Sequence, residues 1–287
     1  MTKVPGSLSG SCNPPHSCRG HIARKRFGQH FLVDGAVVDA IVDAIDPQPG
    51  EYLVEIGPGL GALSEPIAER ALGLTVVEID RDLAQRLRSS QPRWHVVEAD
   101  VLQVDFTAMA QSAQGDGKNL RIVGNLPYNL SSPILFHLLR HIDAIQDQHC
   151  MLQREVVERM VAVPCTAEYS RLSVMLQAHY EIERLLDVAP ESFYPPPRVH
   201  SAVVRMIPLP NRPPPAQQEA LEALLRVAFA QRRKILRHGL GTWLTANGVQ
   251  APINLQRRAE EIGVEEYLAL AQQVASSPGF ATTKGSG

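Results

Sequence analysis

Residues 52–61 read YLVEIGPGLG, a mostly apolar run that opens directly into a turn with glycine at 57, 59 and 61. A short run of this kind without regular polar alternation predicts a strand covered on both faces, at home in a parallel sheet. Glycines placed straight after it let the backbone approach a ligand that a Cβ would push away. Working outward, similar runs recur as LTVVEID (74–80), WHVVEAD (94–100), RIVGN (121–125) and CMLQ (150–153). Helical periodicity fills 63–72, 81–90 and 131–141 between them. An amphipathic helix carrying Val37, Val38, Ile41, Val42 and Ile45 precedes the set, ended by Pro47 and Pro49. Strands alternating with helices predict an α/β fold, its sheet mostly parallel and covered on both sides. Two later β-rich stretches, near 180–188 and 199–207, have no helix between them long enough for a crossover. They are expected as antiparallel strands at the sheet's edge.

Residues 208–215, PLPNRPPP, form a stiff extended linker. Beyond it only helical patterns appear, at 217–230, 232–246, 255–262 and 264–275. The expected division is a main domain over 21–208 and a small all-α domain over 209–275. Loose tails are expected at 1–20 and 276–287, where periodicity is absent.

With 287 residues, 44% hydrophobic and 20% charged, the chain is neither wholly disordered nor fibrous. No apolar run is long enough to span a membrane, and the first 20 residues lack the apolar core of a secretory signal. Four scattered cysteines do not make a disulfide framework, so a reduced, cytoplasmic setting is expected. Cys12, His16, Cys18 and His21 match no zinc spacing, and no metal is expected. The net charge of −2 hides a strong asymmetry: residues 1–34 carry +4, 35–150 carry −8, and 225–258 carry +7. Two basic blocks flanking an acidic middle suit a polyanion gripped beside a neutral or acidic chemical centre. The basic side chains are Arg24, Lys25 and Arg26 in the first block, and Arg232, Arg233, Lys234 and Arg237 in the second.

The glycine turn admits two cofactors. Read as Gly57-x-Gly59-x-x-Ala62, it loosely matches a dinucleotide fingerprint. Read from Glu55 as Glu-x-Gly-x-Gly-x-Gly, it resembles the S-adenosylmethionine loop of class I methyltransferases. Glu55 favours the second, because a carboxylate helps beside a cationic amino acid group and repels a pyrophosphate. Glu78, followed by Ile79, ends the second strand, where a carboxylate can accept both hydroxyls of a ribose. Asp100 ends the third, where it can receive an exocyclic amine.

At the end of the fourth strand stand Asn125, Leu126, Pro127 and Tyr128. The exocyclic amine of adenine is a poor nucleophile because its lone pair is delocalised into the ring. Two acceptors aimed at its N–H groups, the Asn125 side-chain oxygen and the Leu126 carbonyl, favour a pyramidal nitrogen. Pro127 fixes the turn that aims the carbonyl. Tyr128 offers a ring face to the base.

These segments together are similar to the small-subunit ribosomal RNA adenine N6,N6-dimethyltransferase family. The likeness runs from about 24 to 275 and is carried by RKRFGQHFL (24–32), EIGPGLG (55–61), EIDRDL (78–83), EADVLQVDF (98–106) and NLPYNLSSPIL (125–135). It continues in QREVVERM (153–160), YSRLSVMLQ (169–177), SFYPPPRVHSAVV (192–204) and AFAQRRKILR (228–237). The resemblance implies a Rossmann-like class I methyltransferase sheet and S-adenosyl-L-methionine as cofactor. It further implies a monomer acting on 16S rRNA within the pre-30S or 30S subunit, with a role in subunit biogenesis. It places Gln29, His30 and Leu32 near the methionine end of the cofactor and Gly57, with Gly59, against its backbone. Glu78 would hold the ribose, Asp100 and Val101 would receive the adenine, and Phe193 would stack on the flipped target base opposite Tyr128. Arg232, Arg233 and Lys234 would face RNA.

Three rivals remain distinguishable by experiment. One is the related large-subunit rRNA methylase of macrolide resistance. Another is a non-enzymatic ribosome-assembly factor. The third is an NAD-dependent oxidoreductase.

Overall fold

The computed structural model describes residues 29–71, 73–113 and 119–282. The tail at 1–20, the Cys12–His21 group and the Arg24–Arg26 cluster lie outside them. In chain order the first half comprises β1 (Phe31–Leu32), α1 (Gly35–Ile45), β2 (Tyr52–Ile56), α2 (Ser64–Ala71), β3 (Thr75–Glu78), α3 (Arg81–Ser90), β4 (His95–Glu98) and α4 (Phe106–Ala113). Next come β5 (Leu120–Asn125), α5 (Ser131–Arg140), β6 (Ile145–Gln153), α6 (Arg154–Met160), α7 (Arg171–Gln177), β7 (Tyr180–Val188), β8 (Phe193–Tyr194) and β9 (Ser201–Pro208). The C-terminal part holds α8 (Pro215–Ala228), α9 (Leu240–Ala246), α10 (Val264–Ala275) and α11 (Pro278–Thr282).

Seven strands form one sheet in the order β4-β3-β2-β5-β6-β9-β7. From β4 to β6 the pairing is parallel; β9 runs antiparallel between β6 and β7. Both expected late strands therefore pair antiparallel, but only β7 is at the edge. The chain steps from β2 outward to β3 and β4, then returns to place β5 on β2's other side. That reversal opens a crevice at the carboxyl ends of β2, β3 and β5, where open α/β sheets bind their ligands. Gly124 permits the β5–β2 approach, since a Cβ there would meet the Ile56 carbonyl oxygen at 2.4 Å.

Two apolar layers cover the sheet. On one face Ile41, Val42 and Ile45 of α1 and Ile67 of α2 pack on Val76, Val123 and Met151. On the other, Ile134, Leu135, Leu138 and Leu139 of α5 join Val54, Ile56 and Ile122. Full burial of each such side chain contributes about 1.5–3 kcal/mol. The second cluster continues without a break past residue 209 into Leu221, Leu224, Tyr267 and Leu270 of α8 and α10.

The C-terminal part departs from the sequence pattern in three places. The helix expected at 232–246 breaks into a 3-10 turn at Leu236–His238 and α9, and 255–262 holds a single 3-10 turn at Ala259–Glu261. Leu236 N–H donates to Arg257 O and Arg237 N–H to Leu255 O, both at 2.9 Å. The backbone donors thus go across to the other segment instead of back along a helix. Within the expected tail at 276–287, residues 278–282 form α11, with the Phe280 ring edge-on to Trp243 at 6.4 Å.

Candidate active site

The crevice is walled by the ends of three neighbouring strands. After β2, the Gly57 N–H donates to Val77 O at 2.9 Å, and the chain turns with Gly57, Gly59 and Gly61 all at positive φ. At Gly59 a side chain is excluded twice over, because φ is +57° and a Cβ would sit 3.0 Å from the Phe31 ring. The Gly59 N–H then reaches Glu78 Oε2 at 3.3 Å, while Glu78 Oε1 accepts from Asp80 N–H at 2.9 Å. Glu78 is thereby held at the end of β3 by backbone donors, with lone pairs left for a ligand.

The segment 29–34 closes over this floor. Asp34 caps α1 by accepting from Ala36 N–H and Val37 N–H. Phe31 and Leu32 pair with Tyr194 and Phe193 across β1–β8. Gln29 Nε2 donates to Asp80 Oδ2 at 3.3 Å. His30 uses its Nδ1–H on Pro195 O at 2.7 Å, and its ring stacks on Tyr128 with centroids 5.6 Å apart.

Asn125, the last residue of β5, donates its Nδ2 to His30 O at 3.0 Å. Its oxygen has no partner among the described residues. The next residue, Leu126, gives its N–H to Met151 O at 3.1 Å, and its carbonyl likewise has no donor among them. Pro127 and Tyr128 accept Ser131 Oγ on their carbonyls, which fixes the turn. The Tyr128 hydroxyl shares a 2.6 Å hydrogen bond with Ser201 Oγ. Burial, eased in part by that bond, raises the phenol's pKa. The tyrosine is thus a neutral ring, not a base.

Glu55 is the electrostatic anomaly. Its side chain is buried in the cleft wall, and Oε2 has no hydrogen-bond partner. Burial above all pushes its carboxyl up to about 7, opposed by the Ser64 hydroxyl and reinforced by the nearby Glu78 carboxylate. Glu78 is raised too, chiefly by burial. A buried carboxylate with one oxygen left unpartnered costs free energy unless a cation meets it. Ile79 stands 45% exposed on the same cleft, an apolar wall open to a flat ring. A carboxylate with one oxygen unpartnered, a poised carboxylate and an apolar wall fit, in turn, an ammonium, a ribose and a purine.

Of the residues singled out from sequence, Gln29, His30, Leu32, Glu55, Gly57, Gly59, Glu78, Ile79, Asn125, Leu126, Pro127 and Tyr128 all line this one cleft. Asp100 and Val101 do not: Asp100 caps a 3-10 turn, its Oδ1 accepting from Leu102 N–H at 3.0 Å. Phe193 is corrected outright. It is 3% exposed and packs with Leu32, Val188 and Val203 in the core, because strand alternation turns its neighbour Tyr194 outward instead. Arg232 is drawn away from a purely RNA-facing role, donating to Ala167 O and Tyr169 O at 2.7 and 2.9 Å. Arg233, Lys234 and Arg237 are exposed without an acidic partner among the described residues. Sequence reasoning missed the lining residues Phe31, Pro58, Leu60 and Leu63. Pro58 and Leu60 lie between the named glycines 57, 59 and 61, and that closeness alone could have signalled them. Ser201 anchors Tyr128 through its hydroxyl.

Comparison with known proteins agrees with this geometry. The family described as ribosomal RNA adenine dimethylase matches residues 20–276. A ribosomal RNA small subunit methyltransferase A from Albidiferax ferrireducens is 61% identical over 256 residues, covering 89% of this chain and 97% of its own. The protein of the same name from Methylibium petroleiphilum is 61% identical over 259 residues, covering 90% and 98%. Among solved structures, a dimethyladenosine transferase from Plasmodium falciparum shares the fold with a TM-score of 0.64, at 24% identity, over 84% of this chain and 96% of its own. The 23S rRNA methyltransferase ErmE gives 0.59 at 26% identity, over 85% and 99%. With a profile match spanning nearly all of the chain and relatives this similar over their whole length, the protein belongs to the ribosomal RNA adenine dimethylase family.

Proposed function

We propose that the protein is an S-adenosylmethionine-dependent RNA adenine dimethyltransferase. It places two methyls on each of two adjacent adenines in the 3′-terminal hairpin of 16S rRNA, within the pre-30S or 30S subunit, and so takes part in small-subunit biogenesis. The observation that carries this reading is the state of Asn125. With its amide nitrogen spent on His30 O, its oxygen is the free end of the side chain, beside the unpartnered Leu126 carbonyl.

When bound, S-adenosylmethionine supplies an electrophilic methyl carbon on a sulfonium. Glu55 would face its ammonium, Glu78 its ribose and Ile79 its purine. The chain's own contribution is to the target amine. Asn125 Oδ1 and Leu126 O accept its two N–H groups, which localises the nitrogen lone pair and directs it into the cleft. Tyr128 supports the base on its ring, after the base has left its stack in the RNA. Both oxygens accept hydrogen bonds without taking a proton. The nitrogen becomes cationic as the methyl bonds to it and then releases one proton to water, so no strong base is needed. Arg233, Lys234 and Arg237 would hold RNA phosphates, with the residues from 209 to 275 as the RNA-facing part. We place the enzyme in the cytoplasm as a monomer; no described helix is long and apolar enough to cross a membrane.

Incubating purified unmethylated 30S and 50S subunits with the enzyme and cofactor, then mapping methyl groups by mass spectrometry, tests this reading. Dimethyladenosine at adjacent positions of 16S rRNA is expected. Modification of 23S rRNA alone would assign the chain to the large subunit instead.

A further inference from the structure

The segment after Phe193 is pinned to the cleft at both ends. Pro195 O takes the His30 ring N–H at 2.7 Å, and Ser201 Oγ bonds the Tyr128 hydroxyl at 2.6 Å. Those two rings are themselves stacked, so the residues between form an arch standing against the pair. What the arch displays is unusual for surface chain. Tyr194 is 59% exposed, and Arg198, Val199 and His200 are exposed after it. Arg198 has no ion-pair partner among the described residues. Tyr194 is also directly opposite Phe31 in the β1–β8 ladder, so the two side chains leave the same face of the ribbon. The Phe31 ring lines the cleft, which sets the Tyr194 ring beside its mouth, outside the walls.

We propose that this arch is a second nucleotide subsite: Tyr194 stacks on the base flanking the target adenine, and Arg198 takes a phosphate of the same strand. The inference rests on the RNA-methylating reading above. An exposed aromatic face accepts any base without hydrogen-bond readout, and an adjacent free guanidinium suits a phosphate. Ordering the neighbouring nucleotide helps present the flipped adenine to Asn125, so the subsite acts on RNA affinity rather than on methyl transfer itself.

The test is steady-state methylation of unmethylated 30S particles by Tyr194→Ala, Tyr194→Phe and Arg198→Ala, with cofactor affinity measured in parallel. Loss of one base–aromatic stack corresponds to roughly a tenfold change in binding. Tyr194→Ala should therefore raise KM for the particle about tenfold, leaving kcat and cofactor affinity near wild type, and Tyr194→Phe should restore KM. Arg198→Ala should lower the slope of log KM against log salt by about one. A wild-type KM in Tyr194→Ala, or equal impairment in Tyr194→Phe, would overturn the stacking role. An unchanged salt slope in Arg198→Ala would overturn the phosphate contact. A wild-type enzyme inactive on 30S particles would instead overturn the functional reading and this inference with it.

Discussion

Asn125 and His30 meet through a 3.0 Å hydrogen bond in which the asparagine amide donates to the histidine carbonyl. This bond links the end of β5 to the segment that closes the cleft, and it decides which end of the asparagine is available. Asn125→Asp keeps an acceptor oxygen but replaces the donor with a second one facing His30 O. We expect methyl transfer to fall steeply in this variant, despite its near-identical shape. Single-turnover rates, compared with wild type at equal cofactor occupancy, check this.

Tyr128 is argued to act through its ring and not its hydroxyl. Tyr128→Phe loses only the bond to Ser201, a contribution of about 1 kcal/mol to local order. Its kcat should stay within about tenfold of wild type, whereas Tyr128→Ala should lose both the His30 stack and the support of the base. If phenylalanine were as damaging as alanine, the hydroxyl would have a chemical role that the structure does not give it.

Glu55 predicts an inverted pH dependence. From 4.5 to about 7 the unfolded chain ionises this carboxyl while the folded protein keeps it protonated. The unfolded state then binds fewer protons, so stability falls as pH rises through that window and levels off above it. The full cost is about 3 kcal/mol. Glu55→Gln should make the cofactor-free protein more stable above the window and flatten its stability profile. It should also weaken S-adenosylmethionine binding and abolish the tightening with rising pH expected of wild type. Denaturant titrations and calorimetry across the window measure both.

At the opposite end of β5, Arg121 makes a buried clamp. It bonds both oxygens of Asp147 at 3.0 and 3.1 Å, Glu51 at 2.5 Å and the Ile45 carbonyl at 2.7 Å, tying the end of α1 to the sheet. Removing one partner of a buried pair costs about 3–5 kcal/mol. Arg121→Ala should therefore lower the denaturation midpoint markedly, while the folded fraction retains the wild-type KM for cofactor. A changed cofactor KM would mean that the clamp shapes the cleft.

The parallel core could be read from sequence because burial on both faces makes each strand a short apolar run. YLVEI at 52–56 is β2 to the residue, and the strand ends named from it carry most of the cleft. What escaped reading depends on partners distant in the chain. Phe193 and Tyr194 are adjacent aromatics in a proline-rich string; only pairing with Phe31 and Leu32 decides which one turns inward. Likewise 232–246 and 255–262 have helical periodicity, yet the Ile235–Arg258 bridge draws backbone groups of the two segments into bonds with each other. Asp100 stands at the end of the third parallel strand as the sequence places it, with one carboxylate oxygen used to cap the following 3-10 turn.

The most direct test of the mechanism is single-turnover methylation of 30S particles by Asn125→Ala, with S-adenosylmethionine affinity measured on the same preparation. Loss of one preorganised polar contact predicts a fall of about 10²-fold in the transfer rate, with cofactor binding near wild type. An unchanged rate would show that Asn125 does not hold the amine.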